Sequence, residues 1–265
     1  MNTVILAGGL GTRLSEETDV RPKPMVEVGG KPLLWHIMRS YSHYGNNDFV
    51  VALGYLGEVI KRFFLEYHNL SGSMAVNLST GDVDTFDAPG QDWFIRLIET
   101  GMHTDTGGRL RRLQPHLKNE TFMLTYGDGL ASVDVEALVD HHRRLGRIAT
   151  ITAVRPPARF GGIVFEDGLV REFTEKPQVG EGWINGGFMV FEPEIFRYLE
   201  DDSTSLERHA LERLASEGEL AAYCHEGFWQ CADTLRDVRL LRRYWKSGEA
   251  PWKVWDTDRT APVVA

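Results

Sequence analysis

The residues best suited to hold an anion lie near the start of the chain, where the apolar run Thr3-Val4-Ile5-Leu6-Ala7 leads straight into Gly8-Gly9-Leu10-Gly11-Thr12-Arg13-Leu14. Glycines let successive backbone N–H groups point into one concavity, with no Cβ in the way of a phosphate. Arg13 adds a forked cation that matches phosphate oxygens. The same glycines would serve a tight strand-to-helix turn, so their spacing alone leaves both readings open. It does exclude two common phosphate loops. A dinucleotide fingerprint needs G-x-G-x-x-G, but Leu14 stands where Gly9-Leu10-Gly11 requires a third glycine, and counting from Gly8 the second falls on Leu10. A P-loop needs Gly-Lys-Ser/Thr, a tripeptide this chain lacks. In Arg21-Pro22-Lys23-Pro24-Met25, each proline fixes its own φ and holds the preceding residue extended, which makes Lys23 a cation on a stiffened strut.

Two carboxylates add to this set. Asp128, between Gly127 and Gly129, follows the apolar run Phe122–Thr125 and so sits at the carboxyl end of a buried strand, the edge where open α/β sheets bind ligands. Asp233 follows another aromatic run 105 residues later. Such a pair suits one Mg²⁺, which takes few protein ligands and leaves the rest of its shell to phosphate oxygens. Each also fits a turn or a helix cap, Asp233 before Thr234 in particular. Further on, Glu175-Lys176-Pro177 offers a hydroxyl acceptor, a phosphate cation and a stiffener, although Glu175 and Lys176 would equally form an exposed ion pair. Asn185-Gly186-Gly187 offers an amide beside a backbone that a pyranose can approach closely. Trp229 reads as a core residue or as a sugar-stacking face. The nine histidines, among them His103 and the pair His141-His142, show no zinc spacing, and the pair reads as solvated helix positions.

These side chains need a frame, and the hydrophobic pattern supplies one. Strands are expected over Thr3–Ala7, Asp48–Leu53, Phe94–Ile98, Thr121–Thr125 and Ala149–Val154, several of them continuous apolar runs as in a parallel sheet buried on both faces. Between them, Leu33, Leu34, Ile37, Met38 and Tyr41 recur at helical spacing after Pro32, and further helices are expected over about 56–67 and 135–145. Asp167-Gly168 between two β runs predicts a hairpin, and 184–191 another strand before a helix opening at Pro193. A last helix over about 234–245 carries Leu235, Val238, Leu241 and Trp245 on one stripe, and its Arg236, Arg239, Arg242, Arg243 and Lys246 read as an anion patch or a solvated face. The alternation predicts an α/β fold, a Rossmann-like, mostly parallel mixed sheet flanked by helices, with a β-rich insertion and a C-terminal helix. One domain is expected over 1–250, with halves of about 1–155 and 156–250, followed by a tail at 251–265 that is loose from Asp256. With 29 Lys and Arg against 38 Asp and Glu, the net charge is −9. That balance excludes a general nucleic-acid binder and a basic membrane-surface protein. The apolar runs fall far short of the roughly 20 residues that span a bilayer. Cys224 and Cys231 make no disulfide framework, and the start of the chain lacks a basic signal segment, so a cytoplasmic protein is expected.

The run Gly8–Leu14 followed by Pro22-Lys23-Pro24 resembles the signature of sugar-1-phosphate nucleotidyltransferases, which make an NDP-sugar and pyrophosphate from an NTP and a sugar phosphate. The longer run Lys23-Pro-Met-Val-Glu-Val-Gly-Gly-Lys-Pro-Leu-Leu-Trp-His-Ile-Met38 is similar to the glucose-1-phosphate cytidylyltransferase branch. Ser15-Glu16-Glu17-Thr18 stands where the thymidylyl branch carries proline after Arg-Leu. Gly54-Tyr55, Thr106-Gly107-Gly108-Arg109, Thr125–Gly129, Arg159-Phe160-Gly161, Glu175-Lys176-Pro177, Ile184–Phe188 and Phe228–Thr234 continue the likeness to about Trp245. It departs at Leu206-Glu207-Arg208-His209-Ala210-Leu211, where a Trp and a Pro are expected, a difference that reads as local packing away from the phosphate motifs.

The resemblance implies CTP and glucose 1-phosphate as substrates, CDP-glucose and pyrophosphate as products, and Mg²⁺ held by Asp128 and Asp233. It gives Arg13, Lys23 and Asp128 catalytic roles. Nucleotide binding falls to Leu6, Ala7, Gly8, Gly9, Leu10, Gly11, Thr12, Arg13, Lys23, Thr104, Arg109 and Gly127, and sugar-phosphate binding to Gly162, Glu175, Lys176, Asn185 and Gly186. The loop Gly101–Arg109 is expected to be flexible and able to reach a neighbouring subunit in a homo-oligomer, a hexamer by resemblance, and the pathway implied is nucleotide-sugar supply for O-antigen or lipopolysaccharide. No Ser/His/Asp arrangement stands out and none is needed. A sugar phosphate, with a second pKa of about 6, is already largely ionised at neutral pH. Catalysis then rests on neutralising charge and aligning the attacking oxygen with the α-phosphorus. Two other readings stay open: the same chemistry with dTTP, UTP, GTP or mannose 1-phosphate, and a non-catalytic nucleotide-sugar-binding regulatory subunit. Arg13, Lys23, Asp128 and Asp233 together argue against the latter, and Leu14 against a dinucleotide-binding dehydrogenase.

Overall fold

A computed structural model describes residues 1–11, 14–87, 90–156, 162–166, 169–174 and 182–256. Seven strands form one sheet in the order Leu220–His225, Ala149–Val154, Ile184–Phe191, Phe122–Tyr126, Asn2–Leu6, Asp48–Leu53 and Phe94–Glu99. Only Ile184–Phe191 runs antiparallel to its two neighbours; every other adjacent pair is parallel. This is the expected mostly parallel mixed sheet. It takes strands from both halves of the chain, and six of its strands lie within a residue of the bounds expected from the sequence. The edge strand Leu220–His225 is not foreshadowed by an apolar run, because it has one wet flank: Ala221 and His225 are buried while Ala222 and Cys224 are exposed.

Alternation along the central strands sends side chains to two cores. Ile5, Phe49, Val51 and Met123 pack with the helices Leu33–His43, Val135–Leu145 and Leu235–Ser247 on one face. On the other, Val4, Val50, Phe122 and Leu124 pack against the helix Thr106–Leu113 and the segment 206–214. The order of strand addition decides where a ligand can sit. From Asn2–Leu6 the chain builds outward through Asp48–Leu53 and Phe94–Glu99, then returns to the other flank of the first strand with Phe122–Tyr126. Such a reversal opens a crevice at the carboxyl ends of the two strands that flank it.

Several expectations are corrected. The segment at Pro193 is a short 3-10 turn, Pro193–Tyr198, and Leu206–Leu211 is a π-helix that continues as the α-helix Glu212–Ser216. His142 is buried, not solvated, with its ring nitrogens bonded to Thr150 Oγ1 at 2.8 Å and Glu192 Oε1 at 3.0 Å. Arg242, though exposed, bonds the Glu27 carbonyl at 2.9 Å and Glu17 at 3.0 Å, which ties the last helix to the segment behind the glycine run. Asp256 closes a 3-10 turn, Val254–Asp256, and the remainder of the expected loose tail lies outside the described residues. The strands Gly162–Glu166 and Leu169–Thr174 pair antiparallel as the hairpin requires, while its turn, Asp167-Gly168, lies outside the described residues. Among the described residues no helix is long and apolar enough to cross a membrane.

One buried side chain gives the fold a pH signature. His36 is fully buried; its Nε2 lies 2.9 Å from the Val28 carbonyl, and Trp252 donates to its Nδ1 at 3.4 Å. Burial pushes its pKa down to about 4. Below the unfolded value of about 6.5 the unfolded chain therefore binds a proton that the folded chain refuses. Stability from this residue is complete above that pH and falls on acidification, by about 3 kcal/mol at pH 4. Urea unfolding of the wild type and of His36→Gln between pH 7 and 4.5 checks this. The variant is expected to lose less stability over the interval, and equal losses contradict it.

Candidate active site

The first strand ends at Leu6, and the four residues after Ala7 bend over the sheet edge. No backbone carbonyl among the described residues accepts from the N–H groups of Gly8, Gly9, Leu10 or Gly11. The turn is fixed from below by Arg109. Its Nη1 donates to the Leu53 carbonyl at 3.1 Å, Thr100 Oγ1 at 2.8 Å and the Gly101 carbonyl at 2.7 Å, and its Nη2 to the carbonyls of Gly8 at 2.9 Å and Met102 at 3.3 Å. Gly8 has to be glycine here, because a Cβ would lie 2.2 Å from the guanidinium. Arg109 is only 5% exposed and belongs to the helix Thr106–Leu113, capped by Asp105, whose carboxylate accepts from the Thr106 N–H at 2.7 Å. The expected flexible loop over 101–109 is therefore half helix. Its arginine donates to the Gly8 carbonyl of the chain's own glycine turn and also lines the cleft.

Lys23 reaches the same place from the proline strut. Pro22 is extended, but Lys23 is not, contrary to what a residue before proline leads one to expect: Lys23–Met25 forms one 3-10 turn, closed by bonds from the Met25 and Val26 N–H groups to the Pro22 and Lys23 carbonyls at 2.8 and 3.1 Å, and the Pro24 ring packs where a Cβ on Gly127 would come within 2.6 Å. The glycine at 127 thus permits the strut to lie against the end of the strand Phe122–Tyr126.

The two aspartates, far apart in sequence, are brought together by main-chain pairing. Trp229–Cys231 pairs with Gly129–Ala131 in antiparallel register, Cys231 opposite Gly129, and the Ala232 N–H donates to the Asp128 carbonyl at 2.9 Å. A capping box between Thr234 and Asp237 then starts the last helix, so Thr234 and not Asp233 is the cap and the Asp233 carboxylate turns to the cleft. Lys23 Nζ donates to Asp128 Oδ2 at 2.6 Å and also to Asp233 Oδ1. Burial alone would lower the Lys23 pKa, but Asp128 and then Asp233 outweigh it and hold the ammonium above its ordinary value. Burial, then the charges of Asp233 and Asp128, push the neighbouring Cys231 thiol up to about 12, so at neutral pH it is an uncharged neighbour and not a thiolate.

A cleft of about 600 Å³ is lined by Leu6, Ala7, Gly8, Gly9, Leu10, Gly11, Lys23, Thr104, Arg109, Gly127, Asp128 and Asp233, which brings most of the expected site residues into one place. Thr12, Arg13, Glu175 and Lys176 lie outside the described residues. Gly162 opens the strand Gly162–Glu166. Asn185 and Gly186 are not on the cleft lining: the Gly186 carbonyl accepts from Trp229 Nε1 at 2.8 Å, which leaves Trp229 half-buried and anchored instead of offering a free stacking face. Sequence reasoning missed Pro24, Met102, His103, Asp105, Thr106 and Tyr126 on the lining. Of these, Asp105 before Thr106-Gly107-Gly108 carried a helix-cap signal.

The donor set suits a hard divalent cation. One ammonium against two carboxylates leaves the trio net negative, which repels phosphate; a divalent cation held by the carboxylates reverses that sign. Among the described residues no third His, Cys, Asp or Glu completes an all-protein metal cage. That matches a Mg²⁺ site, in which substrate oxygens and water fill most of the shell.

The comparisons with known proteins agree with this geometry. A family model described as nucleotidyl transferase matches residues 2–246. Over 257 residues the chain is 47% identical to the glucose-1-phosphate cytidylyltransferase of Salmonella typhi, covering 97% of this chain and 100% of that one. It is 44% identical over 256 residues to a protein of Bacillus subtilis named probable glucose-1-phosphate cytidylyltransferase, covering 96% and 100%. Among solved structures, HddC from Yersinia pseudotuberculosis matches with a TM-score of 0.69 at 23% identity, covering 92% of this chain and 99% of that one, a likeness of fold. A phosphate-suited glycine turn, a lysine between two carboxylates and a family match along almost the whole chain lead to one conclusion: this protein belongs to the nucleotidyl transferase family.

Proposed function

We propose that the protein transfers CMP from CTP to α-D-glucose 1-phosphate, giving CDP-glucose and pyrophosphate. The observation that carries the reading is the placement of Lys23, Asp128 and Asp233 on one cleft with the open N–H groups of Gly8–Gly11. The 47% identity to a cytidylyltransferase of known substrate name supports the choice of base and sugar. The N–H groups of the glycine turn, with Arg13, receive the triphosphate. Lys23 stabilises charge that builds on the α-phosphate as the pyrophosphate leaves. Asp128 and Asp233 hold Mg²⁺, which when bound neutralises phosphate charge and helps to orient the reacting groups. The sugar phosphate attacks as an anion, so no protein base has to remove a proton. Thr104 and the main chain around Leu6–Gly8, on the cleft lining, would supply donors and acceptors for a pyrimidine edge, and Glu175, Lys176 and the 156–250 half would serve the sugar phosphate.

A turnover panel of CTP, UTP, dTTP and GTP against glucose 1-phosphate and mannose 1-phosphate tests the assignment. CTP with glucose 1-phosphate is expected to have the highest kcat/KM; a preference for dTTP, UTP or GTP refutes the cytidylyl reading. Failure of every pair would favour a nucleotide-sugar-binding regulatory subunit. A homo-oligomer in the cytoplasm is the setting we propose for the enzyme.

A further inference from the structure

Off the cleft lining lies a carboxylate that the proposed chemistry does not use. Glu207 stands in the π-helix Leu206–Leu211, at the segment where the chain departs from the family pattern. Far from being a matter of local packing, this segment reaches the cleft walls. Glu207 Oε1 accepts from the Tyr126 hydroxyl, and its Oε2 accepts from Thr106 Oγ1 at 2.7 Å and Ser205 Oγ at 2.9 Å. The Leu206 N–H adds a bond to Thr106 Oγ1 at 2.9 Å. Nearby, Asn185 Oδ1 accepts from the Gly187 N–H at 2.9 Å. The Tyr126 ring lies on Gly187, where a Cβ would approach it to 2.5 Å.

Two members of this chain of bonds, Tyr126 and Thr106, line the cleft; Glu207, which is not on the lining, joins them. Tyr126 immediately precedes Gly127-Asp128, so its ring separates the metal-binding carboxylate from the Asn185–Gly187 backbone. With its hydrogen given to Glu207 and its ring packed on Gly187, the Tyr126 side chain is held at both its hydroxyl and its ring edge. Bonds to an ionised carboxylate are also stronger than those between neutral groups.

We infer that Glu207 is a positioning residue for acceptor binding: through Tyr126 it sets the wall of the cleft against which the sugar phosphate lies. This rests on the reading that the acceptor occupies the side of the cleft between Asp128 and Asn185–Gly187. On that reading the base and the triphosphate lie along the glycine turn and not against the Tyr126 ring, so the consequence falls mainly on one substrate. π-Helical turns kept in a fold often mark functional positions.

Steady-state kinetics with both substrates varied test it, in Glu207→Gln, Tyr126→Phe and the double variant. Glu207→Gln puts an amide where hydroxyls now donate, whereas Tyr126→Phe removes only one hydroxyl and keeps the ring, so it folds even if the glutamine variant does not. In each, KM for glucose 1-phosphate is expected to rise about tenfold while KM for CTP stays within about twofold, with the larger part of the change in KM and not in kcat. The double variant is expected to be no worse than the poorer single one, because both break one linkage. CTP binding measured alone by calorimetry is expected to match the wild type. Equal rises in both KM values, effects that multiply in the double variant, or unchanged KM for the sugar phosphate overturn the inference. Wild-type turnover of CTP with glucose 1-phosphate tests the underlying reading by itself. Should another sugar phosphate prove to be the acceptor, the variants are compared on that one, and the same split decides.

Discussion

Lys23→Ala is expected to lower kcat by about a thousandfold while leaving CTP affinity within about tenfold of the wild type. The reason is geometric. The Lys23 ammonium is held by two prolines and two carboxylates at the point where the strand end Gly127-Asp128 meets the glycine turn, so it is pre-organised and pays no reorganisation when charge develops on the α-phosphate. Triphosphate affinity comes from the main-chain N–H groups of Gly8–Gly11 and from Arg13, which the substitution leaves in place. Lys23→Arg is not expected to rescue the rate, because the planar guanidinium does not fit a position set for a point cation between Asp128 and Asp233. Rapid-quench measurement of the first turnover separates chemistry from product release. A first-turnover rate near that of the wild type would remove Lys23 from the mechanism.

Arg109→Met is expected to destabilise the protein by about 4 kcal/mol, a fall in Tm of about 10 °C. The loss is large because the guanidinium is the shared donor for the carbonyls of Gly8, Leu53, Gly101 and Met102 and for the Thr100 hydroxyl, most of them buried away from water. Removing it leaves those acceptors unpaired, and each unpaired buried group costs a sizeable part of its desolvation. CTP binding is expected to weaken as well, since the Gly8 carbonyl is one anchor of the phosphate turn. Arg109→Lys should recover only part of the stability, as one ammonium cannot reach carbonyls on three segments at once. Differential scanning calorimetry checks this; a Tm within 2–3 °C of the wild type, about 1 kcal/mol on that scale, contradicts the assignment.

The parts of the site that could be read from sequence are those where backbone chemistry leaves a local mark. The glycine run and the glycines around Asp128 are such marks, because they allow close backbone approach, whereas Pro24 does not hold Lys23 extended, since Lys23 opens a 3-10 turn. Apolar runs likewise located the central strands, since burial on both faces leaves no room for polar residues. The bonds of Arg109 to clustered carbonyls could not be foreseen, because a guanidinium fits carbonyls as well as it fits phosphate, and only the folded chain shows that it anchors the glycine turn while lining the cleft. Asp233 against Thr234 posed a similar ambiguity: either could cap the helix, and the reciprocal bond to Asp237 decides for Thr234. His142 looked solvated because its partners, Thr150 and Glu192, lie on two other elements. Glu207 left no mark at all, as nothing in Leu206–Leu211 announces a π turn or a distant tyrosine.

The central claim is that this cleft moves a cytidylyl group onto the phosphate of glucose 1-phosphate. The most direct measurement is product analysis by ³¹P NMR after incubating the purified protein with Mg²⁺, glucose 1-phosphate and CTP labelled at the α-phosphorus. The prediction is CDP-glucose and pyrophosphate in equal amounts, with all of the label in the sugar nucleotide. Label in pyrophosphate or inorganic phosphate, or no sugar nucleotide from CTP while another NTP is consumed, would contradict it.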